Sequence, residues 1–185
     1  DDPRISFESG DAQHLPFPDA SFDQCLALLV MRFIPDAPQA VKEMRRVTRP
    51  GGVVATARWD NTGGNDLNDS LWVAALPFDP NAPQDKDQPG SYGTAEELSS
   101  LWASAGLENI EAKNIGFECG FDSFEDLWQP LTEGQGPAGA YLRGISDDHR
   151  MAVRNRLRQN VVGDRTDGRF MLKAKAWAVR GTVPK

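Results

Sequence analysis

The residues best suited to chemistry lie near the start of the chain, where Gly10 to Asp23 read GDAQHLPFPDASFD. Asp11 and Ala12 place a carboxylate next to a backbone amide that carries only a methyl side chain. Such a pair answers a ligand edge with a hydrogen-bond donor beside an acceptor, and a charged acceptor makes the stronger bond. The plainer alternative is that Asp11 caps a turn. His14 stands just past this corner, as a base or as an exposed turn residue. His149 falls on a charged helix and reads as solvated. No Ser or Cys has a His and acid partner, so a hydrolase triad is not supported. No His, Cys and carboxylate cluster has metal-ligand spacing. Cys25 and Cys119 sit in apolar, strand-like runs and read as buried free thiols of a reducing cytoplasm. Gly134, Gly136 and Gly139 form a literal G-x-G-x-x-G in GQGPAG. It follows an amphipathic helix, not a strand, and contains Pro137, so it reads as a connecting loop and not a nucleotide cradle.

The elements that must position these residues alternate. Ile5 to Glu8 reads as a short strand ending at Gly10-Asp11. Phe22 to Val30 is nearly continuous apolar sequence, as in a parallel strand covered on both faces. Asp36 caps the next helix, with Gln39 completing a capping-box pattern. Its inner stripe is Ala37, Val41, Met44 and Val47 or Thr48. The RPGG that follows stops the helix, and Val53 to Trp59 is the next strand. Asp60 to Gly93 is rich in Asn, Asp, Pro and Gly, with one short helix around Leu67 to Leu76. Thr94-Ala-Glu-Glu97 is a second capping box, and Leu98, Leu101, Trp102 and Ala105 follow at helical spacing. A strand over about 109–121 comes next. Ser123 then caps a helix with Phe124, Leu127, Trp128 and Leu131 on one face. A glycine-rich loop, a helix over about 147–160 and the alternating RFMLKAKAWAVRG strand complete the chain. Strands alternating with helices give an α/β fold around a mostly parallel sheet.

At 185 residues and 39% apolar content the chain is one domain's length with material for a real core. No apolar run approaches the roughly 20 residues of a membrane-spanning helix, and no N-terminal signal pattern is visible. The net charge of -7 disfavours broad phosphate-backbone binding. The basic runs KEMRRVTR and RMAVRNRLR read as solvated helix faces.

The ordered set from Ser9 to Asp60 is strand, GDA, LPFPDASFD, strand, acid-capped helix with EMRRV, RPGG, strand. It resembles the later half of a class I S-adenosylmethionine-dependent methyltransferase, in the branch of the ubiquinone and menaquinone biosynthesis enzymes. The remainder fits that family in outline, down to a final strand antiparallel to the rest. The resemblance implies a Rossmann-like sheet, mostly parallel, with helices on both faces. It implies S-adenosyl-L-methionine as cofactor, with the adenine amino group on Asp11 and adenine N1 on the Ala12 N–H. It also places Gln13, Ala27, Leu28 and Arg32 beside the cofactor. Phe33, Trp59, Trp72, Trp128 and Tyr141 become candidates for the acceptor pocket. For each aromatic the alternative is a core position. At Met31-Arg32-Phe33 many relatives carry polar residues or His, so no catalytic role is carried over there. His14 is the one weak candidate for a catalytic base.

The family's glycine loop and ribose-binding acid cannot be placed, because the chain begins close to the third strand of that fold. The expectation is a C-terminal portion of a longer methyltransferase domain, lacking the first two strands, with residues 60–93 and 122–168 as variable insertions that form the substrate lid. A partner chain completing the sheet is the competing idea. The implied reaction is in-line methyl transfer to a small organic acceptor in the cytoplasm, with no nucleic acid or membrane partner and a homodimer allowed. The alternative is a methyltransferase-like module that binds or regulates without catalysis.

Overall fold

In the computed structural model the strand β1, Phe22–Leu28, pairs in parallel with β2, Thr48–Trp59. The described residues are 2–60, 62–83, 92–133 and 136–185. The remaining strands are β3, Glu108–Phe121, and β4, Phe170–Thr182. They complete a four-stranded mixed sheet of order β1-β2-β4-β3. β4 runs antiparallel to β2, from Val53 opposite Thr182 to Trp59 opposite Ala176, which is the orientation expected of the final strand. Among the described residues six helices accompany the sheet: α1 Ala37–Val47, α2 Asp66–Ala75, α3 Ala95–Ser104, α4 Phe124–Thr132, α5 Gly136–Gly144 and α6 Asp147–Val161.

The chain forms two compact units. The first comprises residues 1–59, 89–115 and 176–185. The Asp36 carboxylate accepts the Gln39 N–H at 2.9 Å, capping α1 as its sequence requires. Ala37, Val41, Met44 and Val47 are all buried along its inner face. They pack with Leu98, Leu101 and Trp102 of α3, Val54 of β2 and Val179 of β4. Trp102 is fully buried and donates its indole N–H to the Val54 carbonyl at 2.9 Å. Gly181 lies under it, where a Cβ would stand 3.0 Å from both Trp102 and Leu107.

Three expectations fail in this unit. Residues 5–8 are not a strand; Ile5 and Phe7 are 59% and 96% exposed. An extended run becomes a strand only against a ladder partner, and no described strand pairs with it. β1 is not covered on both faces among the described residues, since Leu26 and Leu28 on one face are largely exposed. RPGG does more than turn the chain, because β2 already starts at Thr48. Phe22 faces Thr48 and Gln24 faces Val53, so β2 advances five residues while β1 advances two. Gly51, at φ +78°, takes up this bulge, and its N–H donates to the Val183 carbonyl.

The second unit comprises residues 60–88 and 116–175. Its core joins Leu71 and Trp72 of α2, Phe124, Leu127 and Trp128 of α4, Leu142 of α5, Val153 and Leu157 of α6, and Phe170 and Leu172 of β4. Ser123 caps α4 with a complete capping box, its side chain accepting the Asp126 N–H and the Asp126 carboxylate accepting the Ser123 N–H. The glycine-rich segment is not a connecting loop over residues 136–144, which form α5. Pro137 falls in its first turn, where the missing N–H costs nothing. Gly134 lies outside the described residues. Among the described residues no helix is long and apolar enough to cross a membrane, and no group of three or more His, Cys, Asp or Glu is placed to hold a metal.

Candidate functional site

Asp11 opens a tight turn closed by the His14 N–H on the Asp11 carbonyl at 2.9 Å. Its carboxylate accepts the Gln13 backbone N–H at 2.8 Å and the Gln13 side-chain amide at 3.0 Å. These bonds, the backbone one foremost and His14 adding a smaller share, hold its pKa below the ordinary aspartate value. Asp11 is therefore an ionised, acceptor-only group at neutral pH. Its side chain is 53% exposed, and a carboxylate offers about four lone-pair sites, so capacity remains for a ligand. The Ala12 N–H has no hydrogen-bond partner among the described residues. The turn reading of Asp11 and the ligand reading are thus compatible: Gln13 aims the carboxylate and leaves the next amide open.

Gln13 also accepts the Asp36 N–H at 3.0 Å, and its carbonyl accepts the Gln39 side chain at 3.3 Å. The corner is thereby tied to the N-terminus of α1. Beside it runs a groove of about 260 Å³, lined among others by Ala12, Leu15, Cys25, Ala27, Val30 and Met31. That is below the ~300–1,000 Å³ usual for a whole ligand and suits one part of a larger molecule. β1 ends at this groove. Leu29 follows at φ +56°, with its N–H on the Ala57 carbonyl at 2.9 Å. A left-handed leucine is a strained residue of the kind that gathers at functional sites. The Ala27 carbonyl already accepts the Thr56 hydroxyl at 2.8 Å, while the Leu28 side chain is 75% exposed. Met31–Phe33 form a single 3-10 turn, in which the Arg32 guanidinium lies 5.3 Å from the centre of the exposed Phe33 ring.

This constellation lies within the residues that match a known protein family. Residues 1–56 match the family described as "Methyltransferase domain". Over these residues the chain resembles the class I S-adenosylmethionine-dependent methyltransferases. It is 50% identical over 54 residues to Methyltransferase GfsG of Streptomyces halstedii, covering 29% of this chain and 19% of that protein. It is 46% identical over 52 residues to a demethylmenaquinone methyltransferase of Lysinibacillus sphaericus, covering 28% of this chain and 22% of the relative. The matches therefore span about a fifth of the length of these relatives. Among solved structures, the [4+2]-cyclase SpnF shares the fold with a TM-score of 0.51 at 18% identity, over 98% of this chain and 57% of its own.

The other expected site residues fall in separate places. Trp59 ends β2 half-buried, opposite Ala176. Trp72, Trp128 and Tyr141 belong to the second unit, where the two tryptophans are buried in its core. The Trp72 and Tyr141 rings meet edge-on at 5.5 Å, and burial, with Asp79 adding to it, pushes the Tyr141 hydroxyl up to about 12. His14 is 78% exposed, with Nδ1 3.6 Å from the Asp11 carboxylate. Cys25 and Cys119 are free thiols, both half-buried rather than buried.

The sequence reading missed the clamp that holds the corner's loop. KEMRRVTR is not the solvated face its charge pattern predicts. Instead, the Glu43 carboxylate accepts the Leu15 N–H at 2.8 Å, and Arg46 donates to the carbonyls of Leu15 and Phe17 and to Asp19. Glu43 and Arg46 are also paired at 2.7 Å, which holds the Glu43 carboxyl below its usual range. The available signal was their spacing: positions 39, 43 and 46 lie on one polar stripe opposite the core stripe of α1.

Proposed function

We propose that this chain is part of an enzyme that transfers a methyl group from S-adenosyl-L-methionine to a small organic acceptor by in-line displacement. The observation that carries the reading is the Asp11-Ala12 corner, an ionised acceptor beside an open amide on an apolar groove. Asp11 accepts from the 6-amino group of adenine and the Ala12 N–H donates to N1. Ala27, Leu28, Val30 and Met31 exclude water along the ring. Gln13 holds the corner in register, and Arg32 and Phe33 border the ligand. When bound, the cofactor supplies an electrophilic sulfonium methyl. The protein's work is then alignment, for which effective molarities reach ~10⁵–10⁸ M. A dedicated base adds ~10²–10⁴-fold only where the acceptor must lose a proton, and His14 is the nearest group for that.

The names of the relatives support methyl transfer to small molecules, demethylmenaquinone among them. The fold alone does not decide the reaction, since a [4+2]-cyclase shares it. The sequence match over residues 1–56, which contains the corner, favours methyl transfer over a non-catalytic module. Of the acceptor-side candidates, Phe33 is the open one, and Trp59, Trp72, Trp128 and Tyr141 remain proposed as the wall. Residues 60–93 and 122–168 remain proposed as a lid.

Isothermal titration with S-adenosylhomocysteine tests the reading. Binding is expected, with Asp11→Ala losing about tenfold or more in affinity, as for loss of a charge-assisted hydrogen bond. No heat and no thermal shift at millimolar ligand refutes it. Unchanged affinity of the Asp11→Ala protein refutes the adenine corner.

A further inference from the structure

The second unit carries a groove of about 550 Å³ between α2, α6 and the start of β4. This is within the size range of small-molecule sites. Its apolar floor is Val73, Val161, Met171 and Leu172, and Val73 and Met171 are 54% and 47% exposed. Two large apolar side chains left open in one concavity are a feature of ligand grooves. Asp66 of α2 and Arg156 of α6 line the same groove.

These two opposite charges are not paired. Neither Asp66 nor Arg156 makes a side-chain hydrogen bond or ion pair among the described residues, so their charged atoms stand more than 4.0 Å apart. The other arginines of α6 are all engaged. Arg150 donates to the Leu142 carbonyl and to Asp147, Arg154 pairs with Glu125, and Arg158 reaches the Arg165 carbonyl. Arg156 alone on this helix gives its guanidinium to no protein acceptor among the described residues, and it lines the same groove as the apolar floor.

We propose that this groove binds a small zwitterion with an apolar body. Its ammonium sits at Asp66, its carboxylate at Arg156, and its apolar part on Val73 and Met171. A bidentate guanidinium–carboxylate contact fixes one end and the Asp66 carboxylate the other. The apolar floor then selects among zwitterions by side chain. The site lies wholly within the second unit and does not depend on cofactor binding.

The probe is L-phenylalanine, titrated calorimetrically into the protein without cofactor, beside 3-phenylpropionate and phenethylamine, which each lack one charge. L-Phenylalanine is expected to bind about tenfold more tightly than either half-molecule, the factor for loss of one charge-assisted contact. Asp66→Asn is expected to abolish its advantage over 3-phenylpropionate while leaving 3-phenylpropionate itself unchanged. Arg156→Gln should do the converse with phenethylamine. Both positions are exposed, so neither variant threatens the fold. The proposal is overturned if L-phenylalanine gives no heat at about 10 mM, where even a millimolar Kd registers. It is equally overturned if the three probes bind alike, or if neither substitution changes their order. Because no cofactor is present, these outcomes are independent of the S-adenosylhomocysteine titration.

Discussion

Gly52 is the position where the least added matter should do the most harm. A Cβ there would meet the Asp23 carbonyl oxygen at 2.6 Å, the Thr48 methyl at 2.6 Å and the Arg49 carbonyl oxygen at 2.8 Å. Ordinary contact begins at 3.4 Å, so the shortfall is roughly 0.8 Å. Two of the three neighbours are backbone oxygens and cannot swing aside. Gly52→Ala must therefore push β1 away from β2 at the bulge or distort β2 itself. Overpacking of this kind costs about 1–3 kcal/mol. For a chain of this size that is roughly a 2–12 °C fall in Tm. Gly51 next to it is the control. Its added Cβ would meet only the end of Lys185 at 3.9 Å, but its φ of +78° disfavours any side chain. Gly51→Ala should cost about 1 kcal/mol from backbone strain alone, and Gly51→Asn less, since Asn tolerates that region. Thermal unfolding of the three variants gives the order Gly52→Ala, Gly51→Ala, Gly51→Asn from least to most stable. The displaced β1 also forms a wall of the groove, through Cys25 and Ala27, so Gly52→Ala should weaken S-adenosylhomocysteine while Gly51→Asn leaves it unchanged. If Gly52→Ala unfolds at the same temperature as Gly51→Ala, the contacts that define this bulge are wrong.

Asp11 has a folded pKa below its unfolded value, so its stabilising bonds are present above the unfolded pKa and are lost as pH falls through the folded one. Affinity for S-adenosylhomocysteine, followed by titration, should accordingly stay level from neutral pH into the ordinary aspartate range and drop only below it. Gln13→Ala removes both the bond to Asp11 and the bond from Asp36, and should weaken the same ligand several-fold with little change in Tm; a large Tm loss with unchanged affinity would contradict its positioning role. Ser123→Ala removes one arm of the α4 capping box and should cost about 1 kcal/mol in chemical denaturation. Trp102→Phe removes the donor to the Val54 carbonyl in a fully buried site and should cost about 1–3 kcal/mol in the same assay.

What could be read from the sequence was what is decided locally. Asp36 and Ser123 lie three residues before the N–H groups they accept, and both cap as their spacing requires. Thr94 does so as well, although Glu97 returns its bond to the Gly93 N–H, one residue before the cap. The helix stripes of α1, α3 and α4 were equally legible, because one period fixes which side chains face inward. Elements that depend on distant partners were not. Ile5 to Glu8 has strand composition, but no described strand lies beside it. Residues 136–144 look like loop material by glycine and proline content, yet Tyr141 and Leu142 find the second core and Pro137 falls where a helix tolerates it. For the site, GDA pointed to Asp11 and Ala12, but nothing local reveals that Glu43 and Arg46 bind a loop some 30 residues earlier.

That clamp gives α1 two tasks on opposite sides. Its apolar stripe of Ala37, Val41, Met44 and Val47 builds the first core, and its polar stripe of Gln39, Glu43 and Arg46 grips the segment that carries Asp11. The corner is therefore held by a helix that cannot shift without disturbing the core, which is how a loop carboxylate acquires the rigidity of a scaffold residue. The polar stripe is partly exposed, and its bonds are dispensable to core burial. Loosening it should free the corner while α1 stays in place. Arg46→Gln, which deletes the contacts to Leu15, Phe17 and Asp19 together, separates the two tasks: ligand affinity falls while the helical circular dichroism and the unfolding cooperativity of the protein remain. Loss of both at once would mean that the loop is part of the core's own foundation, and that the division of α1 into a structural and a positioning face is false.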